Sequence, residues 1–144
     1  MAPPILQPEA LSAPVPPGLS LLFVEDHEAT ATIMAKLLRR RGHEVVIAHT
    51  CAEAVAAAAV QKFDFIVSDL TLPDGSGHGL MRELRDRYGT AGISVSGSGE
   101  EDDIQQALAS GFARHFVKPV DIDRLQKALV ELAAGPRAHD GPVS

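Results

Sequence analysis

Five side chains in this 144-residue chain can jointly hold a highly charged, oxygen-rich group: Glu25, Asp26, Asp69, Ser96 and Lys118. Three carboxylates brought close together repel. Either one of them keeps a proton or a hard cation neutralises them, and a site of a few carboxylate oxygens suits magnesium. A lysine opposite them adds a fixed positive charge, and a serine adds a hydroxyl donor. Phosphoryl transfer needs mainly in-line positioning and neutralisation of charge, so this set is suited to a phosphoryl group carried on a carboxylate oxygen.

Residues so far apart in sequence meet only if the fold gathers them. The stretch Asp64-Phe65-Ile66-Val67-Ser68-Asp69 followed by Leu70-Thr71-Leu72-Pro73-Asp74-Gly75 shows how. Its continuous apolar, β-branched run fits a strand buried on both faces, and Pro73 and Gly75 bar continuation into a helix. Asp69 then stands at a strand's carboxyl end, where open α/β sheets display reacting groups.

Around this stretch, strand and helix patterns alternate five times, which calls for a parallel sheet covered on both faces. The spacing predicts strands over Leu19–Val24, Val45–Ala48, Asp64–Asp69, Ile93–Ser96 and Arg114–Val117. Helices are predicted over His27–Arg41, Cys51–Gln61 and His78–Arg87, then one opened by the acids Glu100 to Asp103, and a last one capped by Asp121 and running to Ala134. The acidic pair Glu25-Asp26, then Asp69, Ser96 and Lys118, all fall at predicted strand ends.

Composition sets the bounds. With 45% hydrophobic residues the chain can bury one core, and a formal net charge of -6 argues against electrostatic capture of nucleic acid or an anionic membrane surface. One cysteine excludes an internal disulfide and a thiolate-rich zinc cage, and no stretch approaches about 20 apolar residues. A cytoplasmic protein is the expectation. Residues 1–18 hold six of the ten prolines and read as a linker or tail, 19–134 as the folded unit, and 135–144 as a flexible tail.

The sequence resembles the receiver domains of two-component response regulators. The resemblance rests on Phe23-Val24-Glu25-Asp26, on Asp69 with Pro73 and Gly77, on Val95-Ser96-Gly97 and on Val117-Lys118-Pro119. It implies a doubly wound, flavodoxin-like α/β fold with a five-stranded parallel sheet in order 2-1-3-4-5. It further implies that Asp69 is a phosphoacceptor served by a histidine kinase or histidine phosphotransfer domain, and that Mg2+ is held by Glu25, Asp26, Asp69 and the backbone carbonyl of Thr71. Ser96 and Lys118 would bind phosphoryl oxygens, Lys118-Pro119 would be a cis peptide, and Thr71 and Ser98 would tune loss of the phosphoryl group. His115 stands where the family usually has a rotating Tyr or Phe, which makes it the switch residue together with Ser96. A homodimer through the fourth helix, fifth strand and fifth helix is a further expectation, without direct contact to nucleic acid or membrane. For an isolated domain the resemblance implies no enzymatic activity beyond self-catalysed phosphorylation and dephosphorylation. The proline-rich start resembles the linker that leads into the receiver of hybrid histidine kinases, and a free-standing regulator is the other possibility.

Two other functions compete. A phosphatase with an aspartyl nucleophile needs a second Asp two positions on, where this chain has Thr71. A non-phosphorylated pseudo-receiver would have no need of Asp69, Glu25 and Lys118. Gly92 replaces a proline often found before the fourth strand, which leaves the end of the third helix open. Cys51 reads as an inert thiol in a helix's first turn. His27, His43, His49, His78 and His139 show no metal-ligand spacing and read as surface residues, with His27 nearest the acids.

Overall fold

The computed structural model describes residues 18–134 except Ser98. The expectations for the proline-rich start, Ser98, the C-terminal tail and His139 lie outside the described residues. Strands β1 (Ser20–Val24), β2 (Glu44–Ala48), β3 (Phe65–Asp69), β4 (Ala91–Ser96) and β5 (Phe112–Val117) form one sheet in order β2-β1-β3-β4-β5, with every neighbouring pair parallel. This is the predicted order. Helices α1 (Glu28–Arg40), α2 (Cys51–Val60), α3 (Gly77–Tyr88), α4 (Glu101–Ala109) and α5 (Ile122–Ala134) provide the connections.

Alternation along the strands splits the core in two. Leu21, Phe23, Phe65, Val67, Ile93 and Val95 face α1 and α5, meeting Met34, Leu38, Leu125 and Leu129. Leu22, Val24 and Ile66 face the other way, onto Ala54 and Ala58 of α2 and Leu80, Met81 and Leu84 of α3. All five residues of β3 are buried, as a strand covered on both faces requires.

Local chemistry sets the helix ends. Thr50 Oγ1 accepts the Glu53 N–H at 3.0 Å, Ser76 Oγ accepts the Gly79 N–H at 3.2 Å, and Asp121 Oδ1 accepts the Asp123 N–H at 2.8 Å. Gly89 closes α3 at φ 69, in the left-handed region that glycine enters without steric cost, so the helix ends where glycine permits it.

Three features depart from the sequence reading. β4 and β5 begin two residues early, at Ala91 and Phe112, because sheet pairing reaches past the apolar pattern. The loop after β3 contains a two-residue antiparallel ribbon, Thr71–Leu72 with Gly75–Ser76. His43, read as a surface residue, is buried at 5% exposure: its Nδ1 accepts the Leu19 N–H at 3.1 Å and its Nε2 lies 2.7 Å from Gln126 Oε1. The imidazole thus ties the start of β1 to α5, a long-range pairing that leaves no local signal. Gly92 lies inside β4, where an added Cβ would run into Met81 Sδ; a side chain there would compete with α3 for the same space.

Candidate functional site: an acidic cluster at the carboxyl edge of the sheet

Strand register assembles the site. Val24 pairs with Ser68 and Ser96 with Val117, so Glu25 and Asp69 leave two adjacent strands side by side, and Lys118 follows β5 beside Ser96. Backbone bonds extend the pairing past the strand ends: Glu25 N–H donates to Ala48 O at 3.0 Å and Lys118 N–H to Ser96 O at 2.8 Å. The Lys118–Pro119 peptide is cis.

Glu25, Asp26 and Asp69 each place a carboxylate oxygen within 4.8 Å of the others. Glu25 and Asp69 are buried at 3% and 9% exposure, while Asp26 is open to solvent. Lys118 Nζ lies 2.9 Å from Glu25 Oε1 and 2.9 Å from Asp69 Oδ2, so one cation bridges two buried anions. Burial works against the ammonium. Its hydrogen bonds to Asp69 and Glu25 and their charges together outweigh that, and the Lys118 pKa stands above its ordinary value. The second Glu25 oxygen accepts the His27 N–H at 3.0 Å. Thr71 is exposed, and its N–H lies 3.5 Å from Asp69 Oδ1. Hard oxygen donors in this number fit a magnesium-sized ion better than a soft or nitrogen-seeking metal.

A cleft of about 420 Å³ leads to the cluster past Phe23, Met34 and Val120, with Asp69 and Lys118 in its wall. A second cleft of about 400 Å³ is bounded by Thr71, Ser96, His78 and Asp103. The His115 ring sits between two hydroxyls, with Nδ1 2.7 Å from Ser94 Oγ and Nε2 3.3 Å from Ser96 Oγ. Glu25, Asp26, Asp69, Thr71, Ser96, Lys118 and His115 are therefore gathered at one edge of the sheet.

Two residues at this edge escaped the sequence reading. His78 is half-buried, its Nδ1 2.8 Å from Ser110 Oγ. The Ser110 hydroxyl donates to Gln106 O at 2.8 Å and also receives Arg82 Nη1 at 3.3 Å, so its lone pairs face His78 and Arg82. Burial first, then the positive Arg82 and the neighbouring His115, push the His78 pKa below 6.5 against an opposing pull from Asp103. Because the folded pKa is the lower one, the unfolded chain binds the proton first on acidification. The contribution is complete above about pH 6.5 and is lost as pH falls through the interval down to the folded value. Denaturant midpoints between about pH 5 and 7.5 are expected to fall less steeply on acidification in His78→Gln than in the wild type; parallel curves would remove His78 from this account. The other missed residue is Asp74, whose Pro-Asp-Gly setting read only as a turn.

Cys51 matches its reading: burial, with Asp74 beside it, pushes the thiol up to about 11, far from a reactive thiolate.

Residues 21–130 match the response regulator receiver domain family, and the chain belongs to that family. Receiver domains characteristically bind Mg2+ at an acidic pocket and work with histidine kinases or phosphotransfer partners. The chain is 36% identical over 110 residues to the KDP operon transcriptional regulatory protein KdpE of Escherichia coli, covering 76% of this chain and 49% of that protein. It is 34% identical over 116 residues to the acid tolerance regulatory protein ActR of Rhizobium meliloti, covering 80% and 60%. It thus spans about half of the first relative and less than two thirds of the second. Among solved structures, a CheY-like receiver domain from Methanospirillum hungatei superimposes with a TM-score of 0.78 at 26% identity, covering 86% of this chain and 99% of that one. A response regulator from Burkholderia pseudomallei with a phosphorylated aspartic acid, calcium ion and citrate matches with a TM-score of 0.72 at 29% identity, covering 87% and 76%. The fold and the receiver reading hold, and neither the phosphatase nor the pseudo-receiver is favoured. Among the described residues, no helix is long and apolar enough to cross a membrane.

Proposed function

We propose that Asp69 accepts a phosphoryl group from a phosphohistidine of a kinase or phosphotransfer partner. An Asp69 carboxylate oxygen bonds to phosphorus as the bond to the imidazole nitrogen breaks, and that nitrogen keeps the electron pair. The observation that carries this reading is Lys118 Nζ at 2.9 Å from both Asp69 and Glu25, inside a trio of convergent carboxylates. Glu25, Asp26, Asp69 and the Thr71 carbonyl would hold Mg2+, which would supply positive charge against the phosphoryl group. Lys118 pairs with one phosphoryl oxygen, and the Ser96 hydroxyl donates to another. The relative solved with a phosphorylated aspartic acid supports the same reading.

Ser96 can turn to the phosphoryl group only by leaving His115 Nε2, 3.3 Å away, which makes this pair the switch. Thr71 and Ser98 tune the lifetime of the phosphoryl group by controlling the attacking water. The unit over 19–134 acts in the cytoplasm, without direct contact to nucleic acid, and a homodimer forms through α4, β5 and α5.

Incubation with acetyl phosphate and Mg2+ is expected to add one phosphoryl group by intact mass. The gain disappears in Asp69→Asn or with chelator present. A gain that survives either condition overturns the reading. In the same preparation, beryllofluoride is expected to shift the His115 ring signals in NMR spectra; an unmoved ring removes His115 from the switch.

A further inference from the structure

The loop that follows Asp69 is held at its tip by a bond pattern that the phosphoacceptor chemistry does not use. Asp74 Oδ1 accepts the Cys51 N–H at 2.8 Å and Asp74 Oδ2 accepts the Ala52 N–H at 3.0 Å. One carboxylate thereby satisfies two of the unpaired donors at the start of α2, a helix 22 residues earlier in the chain. Thr50 Oγ1 serves only the Glu53 N–H, and Glu53 Oε1 accepts the His49 N–H at 2.8 Å, so the Cys51 and Ala52 donors are left to Asp74. The bond pair therefore caps the helix and ties the loop tip to it at the same time.

The loop has few other anchors. Its ribbon has only two residue pairs, Thr71 with Ser76 and Leu72 with Gly75, too few to be stable alone. At its base Gly77 N–H donates to Leu70 O at 2.9 Å, and Leu72 is buried at 6% exposure. Pro73, Asp74, Gly75 and Ser76 are all exposed, so little packing holds the tip. Gly75 lies close against Cys51, where an added Cβ would meet Sγ at 3.3 Å, and Cys51 Sγ itself lies 3.8 Å from Ser76 O. The two N–H bonds also hold the Asp74 carboxyl below its ordinary pKa, so the clamp is anionic across the neutral range.

The structure assigns to Asp74 the role of a positioning residue: by clamping the loop tip to the first turn of α2, it fixes the path of Thr71 and so the carbonyl that the proposed site would use. This rests on the proposed Mg2+ site. Asp74 touches neither the cation nor the phosphoryl group, and it acts through the loop backbone.

The experiment compares wild type, Asp74→Ala, Asp74→Asn and Thr50→Ala, using Mg2+ alone in titration calorimetry and acetyl phosphate in kinetics. Asp74→Ala is expected to weaken Mg2+ binding about three- to tenfold, less than the 10–100-fold typical of a partner bonded directly to a metal ligand. The Mg2+ concentration for half-maximal phosphorylation rises by the same factor, and the rate at saturating Mg2+ stays near wild type. Asp74→Asn keeps one acceptor oxygen and falls in between, which covers the case in which the alanine variant fails to fold. Thr50→Ala weakens α2 itself and is expected to lower the melting temperature without moving the Mg2+ affinity. Unchanged Mg2+ affinity in Asp74→Ala and Asp74→Asn overturns the assignment, as does an equal loss in Thr50→Ala, which would mark a merely structural role. A wild-type domain that takes up no Mg2+ overturns both the clamp and the proposed site, so the two failures are told apart.

Discussion

Lys118→Met is expected to lose about 2 kcal/mol of stability at pH 7 in the presence of chelator, and to recover most of it when Mg2+ is added. The ammonium lies 2.9 Å from each of two carboxylates that are buried at 3% and 9% exposure. Methionine fills similar space and supplies no charge. Two full negative charges about 4–5 Å apart repel by about 3–4 kcal/mol at an effective dielectric near 20, and Asp26 adds to the crowding from the solvent side. Uptake of a proton by one carboxyl caps the cost below that figure. The sign with pH follows: in the variant the folded state binds that proton more readily than the unfolded chain, so its stability climbs as pH falls towards about 5. A dication restores the charge that the lysine supplied, so Mg2+ is expected to rescue the variant more than it helps the wild type. Phosphorylation by acetyl phosphate is a separate matter, because loss of a charged donor aimed at the transferring group is expected to cost about a hundredfold in rate. Urea denaturation with chelator or Mg2+, at several pH values, checks the first part. Equal midpoints for the two proteins under all conditions would mean that the 2.9 Å contacts carry no net electrostatic weight.

The parts of this site that could be read from the sequence are those set by chain-local chemistry and by the rules of parallel sheets. Phe65 to Val67 announce a doubly covered strand, turn residues stop it just past Asp69, and the sheet order then brings Glu25, Asp69, Ser96 and Lys118 to one edge. Side-chain pairings across long sequence distances were not legible. Nothing near His43 shows that Leu19 N–H and Gln126 will take both ring nitrogens, and nothing near Asp74 shows that its oxygens will cap α2. Charged and polar residues of this kind read as surface because exposure is their commonest fate; which of them find a buried or capping partner depends on backbone placement that only the folded chain provides. Gly92 gave a misleading signal for a related reason. It was read against a missing proline, while its physical role is to leave room for Met81 against Ile66 and Phe112.

Two glycines in the first turn of α3 allow the same substitution to be set against itself. Gly77 and Gly79 lie in one helix, and replacing glycine by alanine in a helix gains up to about 1 kcal/mol from propensity alone. At Gly79 that gain is unopposed: the position is exposed, its φ lies outside the left-handed region, and the nearest atom to an added Cβ is Ser76 Oγ at 3.9 Å, an ordinary contact. Gly79→Ala is expected to raise stability by about 0.5–1 kcal/mol. At Gly77 the added Cβ would run into the carbonyl oxygen of Asp69 and lie 3.0 Å from Leu70 Cα. Both are backbone atoms, so no side-chain rotation relieves the clash, and either α3 moves out or the end of β3 moves back. Overpacking of this kind costs about 1–3 kcal/mol even where side chains yield, and more where they cannot, so the propensity gain is overrun. A net loss of about 2–3 kcal/mol is expected, a fall in melting temperature on the order of 10 °C for a domain of this size. The chemistry suffers with it, because the displaced residue is the proposed phosphoacceptor. A shift of about 1 Å at a reacting group can cost about a hundredfold, so the phosphorylation rate of Gly77→Ala is expected to drop by at least tenfold at temperatures where it is fully folded. Thermal unfolding of the two variants side by side, followed by acetyl phosphate kinetics below both transitions, makes the comparison. If Gly77→Ala proves as stable and as readily phosphorylated as Gly79→Ala, the close approach of α3 to the Asp69 backbone is not what holds the phosphoacceptor in place.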